Sequence, residues 1–218
     1  MESLRRWRTL SLIALGYVAG GAGYVLMPQG PAYLSEPAFW SRPSIRLLLA
    51  FLLPTTAAAI YASIRIVWRR DPVRDPDEAF ESACEPILFA VGAFILAMHV
   101  MVLGVLTGAI PQSRTGLSRA TIVLFGPVLA SVANLLPRTR PNLAIGFRTR
   151  WTLENRHLWM HVHRLSGYLG VCLGVLIAVS GALLPKAAMQ VVIGWGALGT
   201  LVTFIFVIYR QKASSQAR

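Results

Sequence analysis

Residues 141–164, PNLAIGFRTRWTLENRHLWMHVHR, gather four arginines, three histidines and two tryptophans in a chain that is otherwise mostly apolar. Glu154, His157 and His161 are spaced so that a helix would bring them to one face, and His163 adds a neighbouring imidazole. Three such side chains could hold Zn²⁺ and leave a coordination position open, which is what a catalytic metal requires. The spacing is not H-E-x-x-H or another specific ligand signature. A metal-dependent membrane enzyme using Glu154, His157 and His161 therefore stands as an alternative only. The chain has no G-x-S-x-G elbow, no glycine-rich phosphate loop and no C-x-x-C pair, so nothing points to nucleophilic catalysis or a cofactor.

The elements that must position these residues are membrane helices. The 218 residues are 55% hydrophobic and 14% charged, far from the roughly 25% charged of a soluble domain. Six apolar stretches, about 10–27, 46–68, 85–110, 119–136, 163–184 and 187–209, reach the roughly 20 residues that a helix needs to cross a hydrocarbon core about 30 Å thick. Their composition has no period-2 alternation, which argues against a β-barrel. The expected fold is an all-α integral membrane bundle of six transmembrane helices, in two parts: residues 1–112 and residues 113–218, the second carrying the motif loop 137–164.

The net charge of +12 would suggest nucleic acid in a soluble protein. Here the basic residues cluster at the ends of apolar stretches, so they predict membrane orientation and no direct nucleic-acid contact. With the amino terminus in the cytoplasm, fifteen Lys and Arg residues fall inside and five outside. The inner set includes Arg5, Arg6, Arg8, Arg69, Arg70, Arg74, Arg138, Arg140 and the four motif arginines. The outer set is Arg42, Arg46, Arg114, Arg119 and Lys186. Arg65 is expected to snorkel inward. Both termini and the motif loop are thus predicted cytoplasmic, in a multi-pass protein of a bacterial inner membrane. The basic start and apolar run of residues 1–23 resemble a signal peptide, yet the charge asymmetry is better if that segment stays as the first helix.

Six of the nine acidic residues, Asp71, Asp75, Asp77, Glu78, Glu81 and Glu85, lie in RRDPVRDPDEAFESACEP, residues 69–86. Two Asp-Pro steps predict an extended turn, and the later acids favour a helix start. The segment is expected on the same membrane face as the arginine-rich loop, paired with it. Residues 27–44 are Pro-rich, with Tyr33, Phe39 and Trp40, and read as an interfacial loop on the outer headgroups. Ser166, Gly170 and Gly174, like Gly16 and Gly20, form small-residue faces that let helices approach closely. Packing within the bundle is the plain reading, and a homodimer the other. Cys84 and Cys172 are expected as unpaired thiols. His99 is the one ionisable residue deep in an apolar segment. It is read as a buried hydrogen-bonding group, with a small-solute or ion transporter as the alternative.

Within the motif, Asn142 to Gly146 reads as a turn and Thr152 as the N-cap of a helix starting at Leu153. Trp159 and His163, four residues apart, share a face of that helix. It is pictured as a short amphipathic helix on the inner headgroups, before the chain turns into the fifth span at Gly167. It could anchor the bundle or offer a basic, aromatic docking surface.

RPNLAIGFRTRWTLENRHLWMHVHRLSG, residues 140–167, closely resembles the SdpI family, bacterial membrane proteins named for immunity to the sporulation-delaying-protein toxin. Asn142, Gly146, Arg148, Thr149, Trp151, Thr152, Leu153, Trp159, His163, Arg164 and Gly167 fall on the family pattern. Phe147 replaces an aliphatic residue and Arg150 a proline. The resemblance covers about 118–184. An amino-terminal signature common in relatives is missing, and residues 28–54 read at most as a degenerate version. The resemblance implies an immunity or signal-transduction role, with a peptide toxin outside, a cytoplasmic transcriptional regulator inside and the lipid bilayer around the chain.

Overall fold

The structure, a computed structural model, describes residues 2–27, 42–76, 78–110 and 114–216. Among these residues it is helical and contains no strand. The helices are α1 (Glu2–Leu26), α2 (Pro43–Arg70), α3 (Phe80–Ala83), α4 (Glu85–Leu106), α5 (Arg114–Leu135), α6 (Arg150–Glu154), α7 (Arg156–Leu183) and α8 (Lys186–Gln216), with a 3₁₀ turn at Leu136–Arg138. Six of them, α1, α2, α4, α5, α7 and α8, are long and apolar enough to cross a membrane. In hydrocarbon every backbone N–H and C=O must find a partner inside the segment, which is why these apolar runs are helices.

Local chemistry sets the helix ends. Pro43 opens α2 and a proline occupies the first turn of α4, where a missing N–H costs nothing. Beyond α4, Gly108 adopts φ +79° and the chain folds back so that the Ile110 amide reaches the Gly104 carbonyl at 2.8 Å. The Arg46 guanidinium donates to the carbonyls of Tyr24 and Met27 at the end of α1, both at 2.7 Å. The fifth span differs from its expected position. It starts at Arg156, because Asn155 caps it, so Trp159 and His163 belong to the long helix rather than to a separate surface helix. The interfacial loop expected at 27–44 lies almost entirely outside the described residues.

The helices pack as two groups, α1 with α2 and α4, and α5 with α7 and α8, joined where α4 meets α5. Small residues make the tightest seams. A Cβ added at Gly174 would sit 2.6 Å from the Gly126 carbonyl oxygen, and one at Gly20 would sit 2.3 Å from that of Ala50. Both small-residue faces are therefore occupied inside the chain. α8 packs mainly on α7 and leaves Trp195 and Tyr209 exposed, a surface suited to lipid. Neither Cys84, which is buried, nor Cys172, which is exposed, forms a disulfide.

The alternation of spans brings residues 71–84, residues 136–155, the start of α1 and the end of α8 to one side of the bundle, called the motif face below. A buried cluster there joins Tyr61, Trp68, Phe80, Cys84 and Leu88 to Ala144 of the motif loop. Phe80 is its centre, edge-on to Tyr61 and Trp68 at 6.1 and 5.9 Å. Arg65 lies over the Phe80 ring at 4.8 Å, its stem running toward this face as a snorkelling arginine would.

Candidate functional site

The motif loop is built from the inside outward. Asn142 is fully buried: its Oδ1 accepts the amides of Ala144 and Ile145 at 2.9 and 2.8 Å, and its Nδ2 donates to the Arg140 carbonyl at 2.7 Å. That Asx turn replaces water for three backbone groups. Gly146 follows at φ +113°, where a Cβ would lie 2.2 Å from His163 Nε2. Only glycine fits both the dihedral and the space.

His163 and Trp159 form the floor. Their rings stack with centroids 4.0 Å apart, and both are fully buried. The Phe147 amide donates to His163 Nε2 at 3.1 Å, and His163 Nδ1 lies 2.8 Å from the Trp159 carbonyl. Nε2 must accept and Nδ1 must donate, so the network assigns a neutral Nδ1–H tautomer. Trp159 Nε1 donates to the Thr139 carbonyl at 2.9 Å. Gly167 lies against the turn that precedes the loop, where a Cβ would come 2.7 Å from Pro137 Cγ.

The short helix α6 corrects the capping assignment. Thr149, not Thr152, is its N-cap, and Thr152 is the third helical residue of a reciprocal capping box. Thr152 Oγ1 accepts the Thr149 amide at 3.0 Å and donates to the Phe147 carbonyl at 2.7 Å, fully buried. Leu153 is half-buried in the same turn. Arg148 reaches back to the Leu143 carbonyl. Trp151 lines an apolar cleft of about 130 Å³ with Phe147, Val162 and residues of α8. Phe147 stacks on Phe204 of α8 at 4.8 Å.

The expected site thus divides in two. Asn142, Thr152, Trp159 and His163 are buried and hold the loop's shape. Arg148, Arg150, Arg156 and Arg164 are exposed around them, as are Arg138 and Arg140. The proposed metal ligands do not assemble. Glu154 pairs with Arg150 at 2.8 Å, and among the described residues no group of three or more His, Cys, Asp or Glu side chains could hold an ion.

Two further positions hold the loop in place. Asn155 accepts the amides of His157 and Leu158 at 3.0 and 3.1 Å and so breaks α6 from α7. An Asn just before an apolar helical run is the signal that would have found it. Asp71, one of six acids in residues 69–86, joins the two helix groups. It is buried; its Oδ1 accepts the amides of Val73 and Arg74 at 2.8 and 3.2 Å, and its Oδ2 accepts that of Leu143. Asp75 pairs with Arg140 beside it. The expected pairing of the acidic segment with the arginine-rich loop is present, with a buried carboxylate at its centre. Burial pushes the Glu78 carboxyl above its usual range, opposed by Arg140.

Six long apolar helices, with a polar loop folded over one end, define a multi-pass helical membrane protein. Residues 138–210, which hold the loop, α6, α7 and most of α8, match the model of the SdpI/YfhL protein family. The match begins later than the resemblance, which starts at about 118, and extends further, to residue 210. No curated protein and no solved structure matches the chain.

Proposed function

We propose that this chain is an SdpI-like protein of a bacterial inner membrane, with an immunity or signal-transduction role toward a secreted peptide toxin. In this reading the motif face is cytoplasmic and the toxin acts from the opposite side. The observation that carries it is the division of labour in the loop. Buried Asn142, Thr152, Trp159 and His163 fix the backbone, and Arg148, Arg150, Arg156 and Arg164 point outward from it. Guanidinium groups carried on a fixed backbone suit an acidic protein surface, because little loop entropy remains to be lost on binding. A cytoplasmic transcriptional regulator with an acidic patch is the proposed partner.

The test is expression in a toxin-sensitive bacterial strain, alongside recovery of cytoplasmic regulators with the membrane protein. Wild type should protect and should retain a regulator. A variant carrying Arg148→Glu and Arg156→Glu should insert normally but lose both properties, since its changes lie on exposed side chains. Wild type that neither protects nor retains a regulator would overturn the proposal. So would labelling of the 137–160 loop from outside intact cells.

A further inference from the structure

The α1–α2–α4 group carries buried polar atoms that nothing in the loop explains. His99 is 1% exposed, lies against the α1 backbone at Gly16, and has no hydrogen bond of acceptable geometry at either ring nitrogen. Glu85 is 3% exposed; its Oε1 accepts the Thr9 amide at 3.1 Å, while its Oε2 and the Thr9 hydroxyl lack partners. An unmet buried polar atom costs about 1–3 kcal/mol, so three residues in this state within one small helix group call for bound water or a ligand.

Space for water lies beside Thr9 and His99. Two cavities, each with about 10 Å³ in which a water centre can sit, follow one another along α4. That is close to the minimum for one water molecule each. The first is bordered by Thr9 and the second by His99, and Ala57, Gly92 and Ile95 line both. Tyr61 of α2 borders the first cavity, and no other titratable side chain besides His99 lines either. His99 is fourteen residues along α4 from Glu85, about 21 Å at 1.5 Å per residue, in a hydrocarbon core about 30 Å thick.

We infer that Glu85, Thr9 and His99 bound a hydrated proton path that enters from the motif face and ends at His99, a proton-binding site inside the membrane. A proton leaves the Glu85 carboxyl, passes along the enclosed waters and binds a ring nitrogen of His99. The Glu85 carboxylate is then reprotonated from the aqueous side. Thr9 can accept and donate at the junction. Imidazole suits the terminus because its charge changes between about pH 5 and 8.

Gly92 supplies the test. A Cβ there would meet Leu12 Cδ1 and Thr9 Cγ2 at 3.6 Å, ordinary contact, so Gly92→Ala fits the fold while filling the space between the cavities. The full chain, labelled at histidine, is placed in lipid bilayers and studied by water-edited solid-state NMR, with the His99 signal assigned through its absence in His99→Gln. In wild type the His99 ring should receive magnetisation from water, and its nitrogen shifts should follow buffer pH. In Gly92→Ala both responses should be lost while the His163 signals stay in place, reporting an intact fold. In Glu85→Gln the ring should stay hydrated but exchange protons with buffer more slowly. A dry His99 in wild type, or one that stays wet and titrates unchanged in Gly92→Ala, would overturn the path. Unchanged exchange in Glu85→Gln would remove Glu85 from it.

Discussion

The two helix groups solve the same problem differently. In α5, α7 and α8 the polar side chains are spent on defined partners: both nitrogens of His163 are engaged, and Ser180 donates to the Leu176 carbonyl at 2.5 Å. In α1, α2 and α4, Thr9, Glu85 and His99 keep polar atoms unpaired beside water-sized cavities. Among the described residues, no buried side-chain nitrogen or oxygen without a hydrogen bond lies beyond His99. The region that matches the family model is thus the part whose buried polar side chains are hydrogen-bonded, and the part before it is the one that leaves some unmet. Polar residues in a membrane bundle can serve shape or hydration, and their hydrogen bonds distinguish the two.

The sharpest way to break the hydrogen-bonded part is Gly146→Ala. It combines left-handed backbone strain with eviction of the Phe147–His163 hydrogen bond, and should cost about 3–5 kcal/mol, read as a lower unfolding midpoint in detergent. Asp71→Ala attacks the joint between the groups. It strips three amides of their acceptor and should cost about 2–3 kcal/mol, with faster amide exchange at Leu143 as its local signature.

One substitution placed in both groups compares them directly. Gly174→Ala drives a methyl into the α5 backbone and should cost about 1–3 kcal/mol in unfolding experiments. Gly92→Ala, with only ordinary contacts, should leave stability within about 1 kcal/mol of wild type. Equal losses from the two would erase the contrast.

The smallest effect concerns pH. Because the folded protein raises the Glu78 pKa, protonation favours folding. Its contribution is fully present below the unfolded pKa and is lost as pH rises through the raised folded value. Stability measured against pH across the carboxylate range and just above it should fall slightly in wild type. That component should vanish in Glu78→Gln.

Much of this architecture can be read in the residues. The expected apolar stretches overlap all six long helices, because bilayer thickness leaves few ways to place twenty apolar residues. The four-residue spacing of Trp159 and His163 predicts a shared face, and their rings stack. What stays hidden is which motif residues face inward. Asn142, Thr152 and His163 stand among arginines and look like surface, yet they are buried because backbone groups close in space satisfy them, His163 through an amide sixteen positions away. Nor does spacing alone separate two threonines three apart, either of which can cap; the reciprocal bond from the Thr152 hydroxyl to the Thr149 amide makes Thr149 the cap. Deep in α4, His99 is identifiable as unusual, but its companions Thr9 and Glu85 join it only through the packing of α1.

The Asp71 carboxylate is made 72 residues before the Leu143 amide that it receives. During synthesis it must wait at the membrane surface, hydrated and charged, while two further spans emerge and cross. Only when the loop arrives can it give up its water for that amide and let Ala144 settle among Trp68 and Phe80. The motif is therefore completed late and by both parts of the chain together, so a misplaced first group would leave the Leu143 amide without its acceptor.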